Sequence, residues 1–313
     1  MREKIVNRED IEGRLFDFNL GVKQVEDKDS KYFGKSFISG TLSIATDENG
    51  LNVLDVHYTF ITETTKSGKA DSRYAALKRI METGKTWAKD GKDEATKLRV
   101  SSAGALNDFY PQGQEELVSQ QRNESGFITF LSTLNPDGTN RHKFIFDAVI
   151  TRVEVKEPEN APMYAQIRCA IFNFRKDILP WTLIARDPGA IDYFENLGVN
   201  EGEPVFTQVW GEIVNTTQKI EKTIESAWGA PQVEYSKRTA KEWVVTGARP
   251  TPYGFGDESN ITAEEINEAL AKRNVYLEDV KTRAKQYYAE KGNAIQAAPA
   301  PAANAIPNGK FNF

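Results

Sequence analysis

The chain has 313 residues, 40 Lys and Arg against 45 Asp and Glu, a formal charge of −5 and 39% hydrophobic residues. That composition suits a folded protein, and the length suits two domains that each bury a core. One cysteine, Cys169, excludes a disulfide framework and a multi-thiolate zinc site, and two histidines, His57 and His142, leave little for metal or general-base chemistry.

The first ten residues hold no apolar core of a signal peptide, and no stretch approaches 18 uninterrupted apolar residues. The expectation is a soluble, cytoplasmic protein without a membrane span.

From about residue 13 to 250 short alternating runs bounded by turn residues predict strands. Leu15, Phe18, Leu20 and Val22 form a first run; Phe37, Ile38, Leu42 and Ile44 form a second, with Gly40 as a bulge inside it. After the turn Asp47–Gly50, residues 51–61 read as a strand with Leu54, Val56, Tyr58 and Phe60 on one phase. A polar loop then leads to a helix capped by Asp71 or Ser72, with Tyr74, Leu77, Ile80 and Met81 facing inward and Gly84 at its end. Strands resume at 97–101 and 127–134.

The second half repeats the order. Strands are predicted at 142–155, 164–174 and 178–185. A helix follows with Asp187 as cap, Pro188 at its first position and Gly198 after it. Further strands lie at 205–214, extended through 215–226 from Trp210 to the turn at Trp228–Pro231, and within 233–245. Each half is thus three strands, a short helix and two strands. That order is the one of an OB fold, a five-stranded Greek-key barrel with a helix between its third and fourth strands. The alternative is a β-sandwich with inserted helices.

Thr262 and Glu265 make a capping box for a long helix over 262–291, ended by Gly292. Its stripe is Ile266, Leu270, Leu277, Val280, Ala284 and Tyr287, packed across both domains or against another copy of the chain. Residues 293–313 are Ala/Pro-rich and predict a flexible tail with an aromatic tip, Phe311 and Phe313. The predicted fold class is mainly β with α: OB-like domains at 1–135 and 136–250, a linker and long helix at 251–292, and the tail at 293–313.

Catalytic signatures are missing. Gly34-Lys35-Ser36 and Gly84-Lys85-Thr86 lack the upstream glycine of a phosphate loop, where Asp29 and Arg79 stand. Asp55 and His57 share one strand with no nucleophile elbow, and Cys169 sits in an apolar strand. The expectation is a non-enzyme with no cofactor and no metal.

Charge is distributed unevenly. The stretch Lys66–Arg99 carries +5 and the remainder −10. Lys31, Tyr32, Phe33 and Lys35 cluster in the loop between the first two strands. Cations along a backbone and aromatic faces for bases are what a sequence-tolerant binder of single strands needs. The candidates are Lys31, Tyr32, Phe33, Lys35, Tyr58, Lys66, Lys69, Arg73, Trp87 and Phe109. The second half offers a weaker set, Arg168, Phe172, Phe174, Arg175, Lys176 and Trp181.

The segments LNVLDVHYTF (51–60), TTKSGKADSRYAALKRI (64–80), RVSSAGALNDFY (99–110), AIDYFENL (190–197), PVFTQVWGEI (204–213), KEWVVTGA (241–248) and PYGF (252–255) occur in an order that resembles single-stranded DNA-binding proteins of tailed bacteriophages. The resemblance implies an accessory protein of phage DNA replication or recombination in the host-cell cytoplasm. Phe313 is similar to the terminal Phe by which bacterial single-stranded DNA-binding proteins recruit replication partners, although this tail has no acidic residue. The competing class is a phage structural or assembly protein that self-associates without nucleic acid, for instance through the helix at 263–291.

Overall fold

In the computed structural model the strands run, in chain order, β1 (Asn7–Gln24), β2 (Ser36–Ala45), β3 (Val53–Thr62), β4 (Lys97–Phe109), β5 (Val118–Phe130), β6 (His142–Lys156), β7 (Tyr164–Phe172), β8 (Ile178–Ala185), β9 (Val205–Ile224) and β10 (Gln232–Ala248). The helices are α1 (Ser72–Thr83), α2 (Trp87–Asp90), α3 (Pro188–Glu195) and α4 (Ala263–Ala297). The structure describes residues 5–65, 67–159, 161–200, 203–224, 228, 232–254 and 261–297.

Within the first ring β1 serves two partners. Its first half pairs with β4, its second with β2, and a register shift between Leu15 and Asp17 bends it where the pairing changes. β3 adds to β2, and β5 lies parallel to β3 and antiparallel to β4. Five strands therefore close into a ring in the order β1-β2-β3-β5-β4, with α1 between β3 and β4. β6, β7, β8, β10 and β9 close a second ring in the same order, again with one parallel contact, β8 to β10, and with α3 between β8 and β9. Antiparallel pairing of Asn7–Ile11 with His142–Phe146 joins the rings. The molecule is mainly β, with few helices and a long C-terminal one.

Alternation explains the interiors. Leu54, Val56 and Tyr58 on β3 and Ile167, Cys169 and Ile171 on β7 point inward and are buried. Burial pushes the Cys169 thiol up, so it stays protonated. Asp187 accepts from Gly189 and Ala190 at the start of α3, Pro188 occupies the first turn, and Gly198 takes φ +67° after it.

Three expectations need correction. First, β1 begins at Asn7, well before Leu15 of the first predicted run, because its early residues include the charged Glu9 and Glu12, which are buried. Glu9 accepts from Asn123 Nδ2 (2.6 Å), Trp243 Nε1 (2.8 Å) and Ser102 Oγ (3.2 Å), and Glu12 accepts two bonds from Arg99 (2.6 and 2.9 Å). Hydrogen bonds of this number offset part of the cost of a buried carboxylate. Second, β5 extends back to Val118, so the hairpin it makes with β4 is far longer than expected. Third, α4 runs through Gly292 to Ala297, so residues 293–297 are helical. The rest of the predicted tail, with Phe311 and Phe313, lies outside the described residues, as does most of the predicted turn at 228–231.

The capping box of α4 forms as predicted: Glu265 N donates to Thr262 Oγ1 (3.2 Å) and Thr262 N to Glu265 Oε2 (3.0 Å). Ala269 and Val280 are its buried contacts, whereas Leu270 and Tyr287 of the predicted stripe stay largely exposed. The helix lies against β4 of the first ring and β8 of the second. Arg273 pairs with Asp108 at 3.0 Å, and Tyr288 Oη donates to Tyr110 O at 3.2 Å.

Glu48, in the turn between β2 and β3, joins Arg141 (2.8 Å), Lys92 (2.9 Å) and Arg14 (3.1 Å). Arg141 first, then Lys92, hold its carboxyl down at about 2. A depressed carboxylate stabilises the fold above its unfolded value near 4.5, and that contribution fades as pH falls toward 2. Glu48→Gln is expected to flatten the decline of stability between pH 4.5 and 2 seen by urea unfolding, and to do so less at high salt because half of this side chain faces solvent. An unchanged acid limb in the variant would contradict this.

Candidate nucleic-acid interface

Aromatic side chains on a strand stay exposed only when the pleat turns them outward, and two bulges do this here. Ile38 pairs with Ile61 and Gly40 with Tyr58, so Thr59 and Phe60 stand opposite Ser39 alone. The extra residue on β3 buries both Tyr58 and Ile61 and leaves Phe60 41% exposed. Gly40 carries φ +139°, and a Cβ there would meet Asn19 O at 1.9 Å, so glycine is required at the bulge. On β5, Glu124 pairs with Ala103 and Phe127 with Ser101. Ser125 takes φ +57° in the extra position, and Phe127 emerges 59% exposed.

The β1–β2 loop brings Lys31, Tyr32, Phe33 and Lys35 together as expected. Tyr32 meets Phe60 edge-on at 5.5 Å, and Phe60 lies 4.5 Å from Phe37. Lys31 and Lys35 place their ammonium groups 5.3 and 5.7 Å from the Tyr32 ring, and Phe33 is 52% exposed. This is a small aromatic platform edged with two cations. Phe37 and Phe60 were missing from the predicted set.

A second aromatic surface lies in a cleft of about 760 Å³ where the first ring's β4 and β5 face the β7–β8 turn of the second ring. Phe127, Phe174, Arg8, Arg73 and Arg175 line it. Arg73 sits 5.3 Å over Phe127, Arg175 sits 5.2 Å over Phe174, and Phe174 is almost fully exposed. Thr59 Oγ1 donates to Glu124, a residue of the cleft wall, at 2.5 Å, so cleft and platform meet along β3 and β5.

Several predicted site residues go elsewhere. Tyr58 is 2% exposed and its hydroxyl donates to Gly126 O at 3.1 Å, so it is a core residue and has no face free for a base. Trp87 packs on Phe16 at 6.0 Å and against Gly50, beside the β2–β3 turn and therefore at the opposite end of the hairpin from the β1–β2 loop. Phe109 ends β4, in the hairpin that α4 holds through Asp108 and Tyr110. Phe172 and Trp181 are buried, and Arg168 pairs with Glu154. Lys69 is exposed before α1, and Lys66 lies outside the described residues.

The basic stretch does not form one face. Arg73, Lys78, Lys85, Lys92 and Arg99 pair with Asp71, Glu82, Glu94, Glu48 and Glu12. Arg79 stacks on Phe130 at 4.0 Å. Among the described residues there is no group of three or more His, Cys, Asp or Glu placed to hold a metal ion, and no helix long and apolar enough to cross a membrane.

Two solved structures of a single-stranded DNA binding protein from Thermus aquaticus are similar in part. The wild-type protein gives a TM-score of 0.44 at 13% identity, over 81% of this chain and 97% of that one. Its deletion mutant delta 228-252 R190A gives 0.45 at 12% identity, over 82% and 98%. No curated protein matches the chain. The sequence profile of the YorF family matches residues 7–283, nearly the whole of both rings and much of α4. The chain belongs to the YorF family.

Proposed function

We propose that this protein binds single-stranded DNA without catalysis and without strong sequence preference, and that each ring is an OB-like barrel domain, with boundaries near 1–135 and 136–250. In OB folds the outward face of strands two and three and the loop between strands one and two hold oligonucleotides. Here those elements are β2, β3 and the β1–β2 loop. The observation that carries the reading is the placement of Phe33, Phe60 and Phe127 at the surface beside Lys31, Lys35 and Arg73. Every base has a face that stacks, so such a surface tolerates any sequence, while the cations follow the backbone.

The sequence resemblance adds a setting, the replication or recombination of tailed-phage DNA, and a role for the aromatic tail tip, Phe311 and Phe313, in recruiting replication proteins. Photocrosslinking to an oligonucleotide carrying bromodeoxyuridine tests the location. Adducts are expected on peptides that contain Phe33, Phe60 or Phe127. Adducts confined to peptides of α2 or α3 would contradict the assignment.

A further inference from the structure

A polar cleft of about 460 Å³ opens between β3 and β5 of the first ring and β9 and β10 of the second. Asp55, His57, Arg122, Asn215, Lys241 and Trp243 are among the residues that line it. The aromatic platform does not use it. Asn215 is fixed to the first ring by its own N–H to Asn52 Oδ1 (2.8 Å), so the wall from the second ring is held in place.

Lys241 is the notable group. Its ammonium donates to Asn123 Oδ1 at 2.8 Å and lies 5.2 Å from the Trp243 ring. An ammonium has three donors, and one neutral acceptor satisfies one of them. The buried carboxylate of Glu9 takes its hydrogen bonds from Asn123, Trp243 and Ser102 and not from Lys241. No carboxylate of the described residues lies within ion-pair distance of Lys241. Glu9 and Asp55 act on this half-buried cation only at longer range, two of its donors have no direct acceptor, and it fronts a polar cavity.

Two further groups share the cleft. Arg122 pairs with Glu124 at 3.0 Å. His57 has Nδ1 3.2 Å from Thr41 Oγ1 and no partner for its other ring nitrogen among the described residues. Asp55 is engaged by Ser43 Oγ at 2.6 Å. His57 stands three residues before Phe60 on β3, about 10 Å along the strand.

We propose that the cleft seats one phosphate group of the bound strand, with Lys241 as its direct partner and His57 and Arg122 beside it. This rests on the single-strand reading. The anion would supply the acceptors that Lys241 lacks. It would also tie the second ring to a strand whose bases lie on the first.

His57 reports on the site. Burial, then Arg122 and Lys241, hold its imidazolium form down, while Asp55 and Glu124 oppose them. A phosphate beside it therefore raises its titration point. His142, beside Glu212 at 3.6 Å, is the internal control, and the chain holds no third histidine.

The test follows both imidazoles by NMR while the full chain is titrated with oligo-dT and, separately, with inorganic phosphate. It also measures oligo affinity against salt for wild type, Lys241→Gln and Lys241→Arg. The proposal expects His57 to shift with the oligonucleotide and His142 to stay. It expects Lys241→Gln to flatten the slope of log affinity on log salt by about 0.7, the value for one phosphate of a single strand, and Lys241→Arg to restore it. A folded Lys241→Gln protein that binds with the wild-type slope would overturn the cleft assignment and leave strand binding standing. A His57 response to inorganic phosphate but not to the oligonucleotide would overturn the strand's phosphate as the occupant. Wild-type protein that binds no oligonucleotide would remove the underlying reading as well.

Discussion

Replacing Phe60 with alanine is expected to weaken binding to oligo-dT by about 5- to 150-fold, the equivalent of roughly 1–3 kcal/mol for one lost base stack. Phe60 is singled out because the β3 bulge turns it into solvent, where Tyr32 at 5.5 Å and Phe37 at 4.5 Å brace it. Phe33 and Phe127 are expected to give losses in the same range, since both are more than half exposed. Tyr58→Phe is the contrast. It removes a buried hydroxyl bonded to Gly126 O and touches no exposed face, so it lowers stability and leaves affinity unchanged. Anisotropy of a labelled oligonucleotide measures all four, with thermal unfolding run alongside. Wild-type affinity in Phe33→Ala, Phe60→Ala and Phe127→Ala together would remove the platform from the account.

The second large effect concerns the joint between the rings. Trp243 is 1% exposed, meets Trp181 edge-on at 4.8 Å, and donates its Nε1–H to Glu9 across the junction. Trp243→Ala is expected to destabilise the protein by about 3–5 kcal/mol through lost burial and the cavity left behind. Trp243→Phe keeps most of the volume but leaves Glu9 one donor short, for about 1–3 kcal/mol.

The pH dependence separates these causes. Burial raises the Glu9 carboxyl above its ordinary value, while Asn123, Trp243 and Lys241 pull it back down. A raised carboxyl stabilises the fold below its unfolded value near 4.5, and that contribution is lost as pH rises through the folded value. Without the indole donor the folded value climbs further. The gap between Trp243→Phe and wild type should therefore widen as pH rises from 4.5 toward neutrality in denaturant unfolding. A gap independent of pH would assign the whole loss to packing.

The parts of this molecule that follow local rules were readable in advance. Asp187, Pro188 and Gly198 bound α3 where cap chemistry places them, and the box of Thr262 and Glu265 starts α4. The recurrence of three strands, a helix and two strands was also legible, because each strand carries its own alternation. What was hidden depends on partners far away in sequence. Glu9 and Glu12 look like surface residues until Trp243, Asn123 and Arg99 are brought to them.

The same reason explains the candidate site. Period-two counting puts Phe60 in phase with Tyr58, and only the two-against-one pairing with Ser39 reverses it. Gly40 and Gly126 were the available signals, since glycine inside a strand marks a bulge. The +5 stretch misled in the opposite direction. Its charges are adjacent in sequence, but much of it is spent on carboxylates around the first ring, so few of those cations reach the platform. The cations beside the platform come from the β1–β2 loop.

The central claim is that an exposed aromatic and cationic surface on the first ring holds single strands. Competition between unlabelled oligo-dT and a duplex of equal length for the wild-type chain, at about 100 mM salt, tests it most directly. The account predicts that the single strand displaces the labelled probe at far lower concentration, because paired bases present no free faces to Phe33, Phe60 and Phe127. Equal displacement by duplex, or no binding of either, would contradict it.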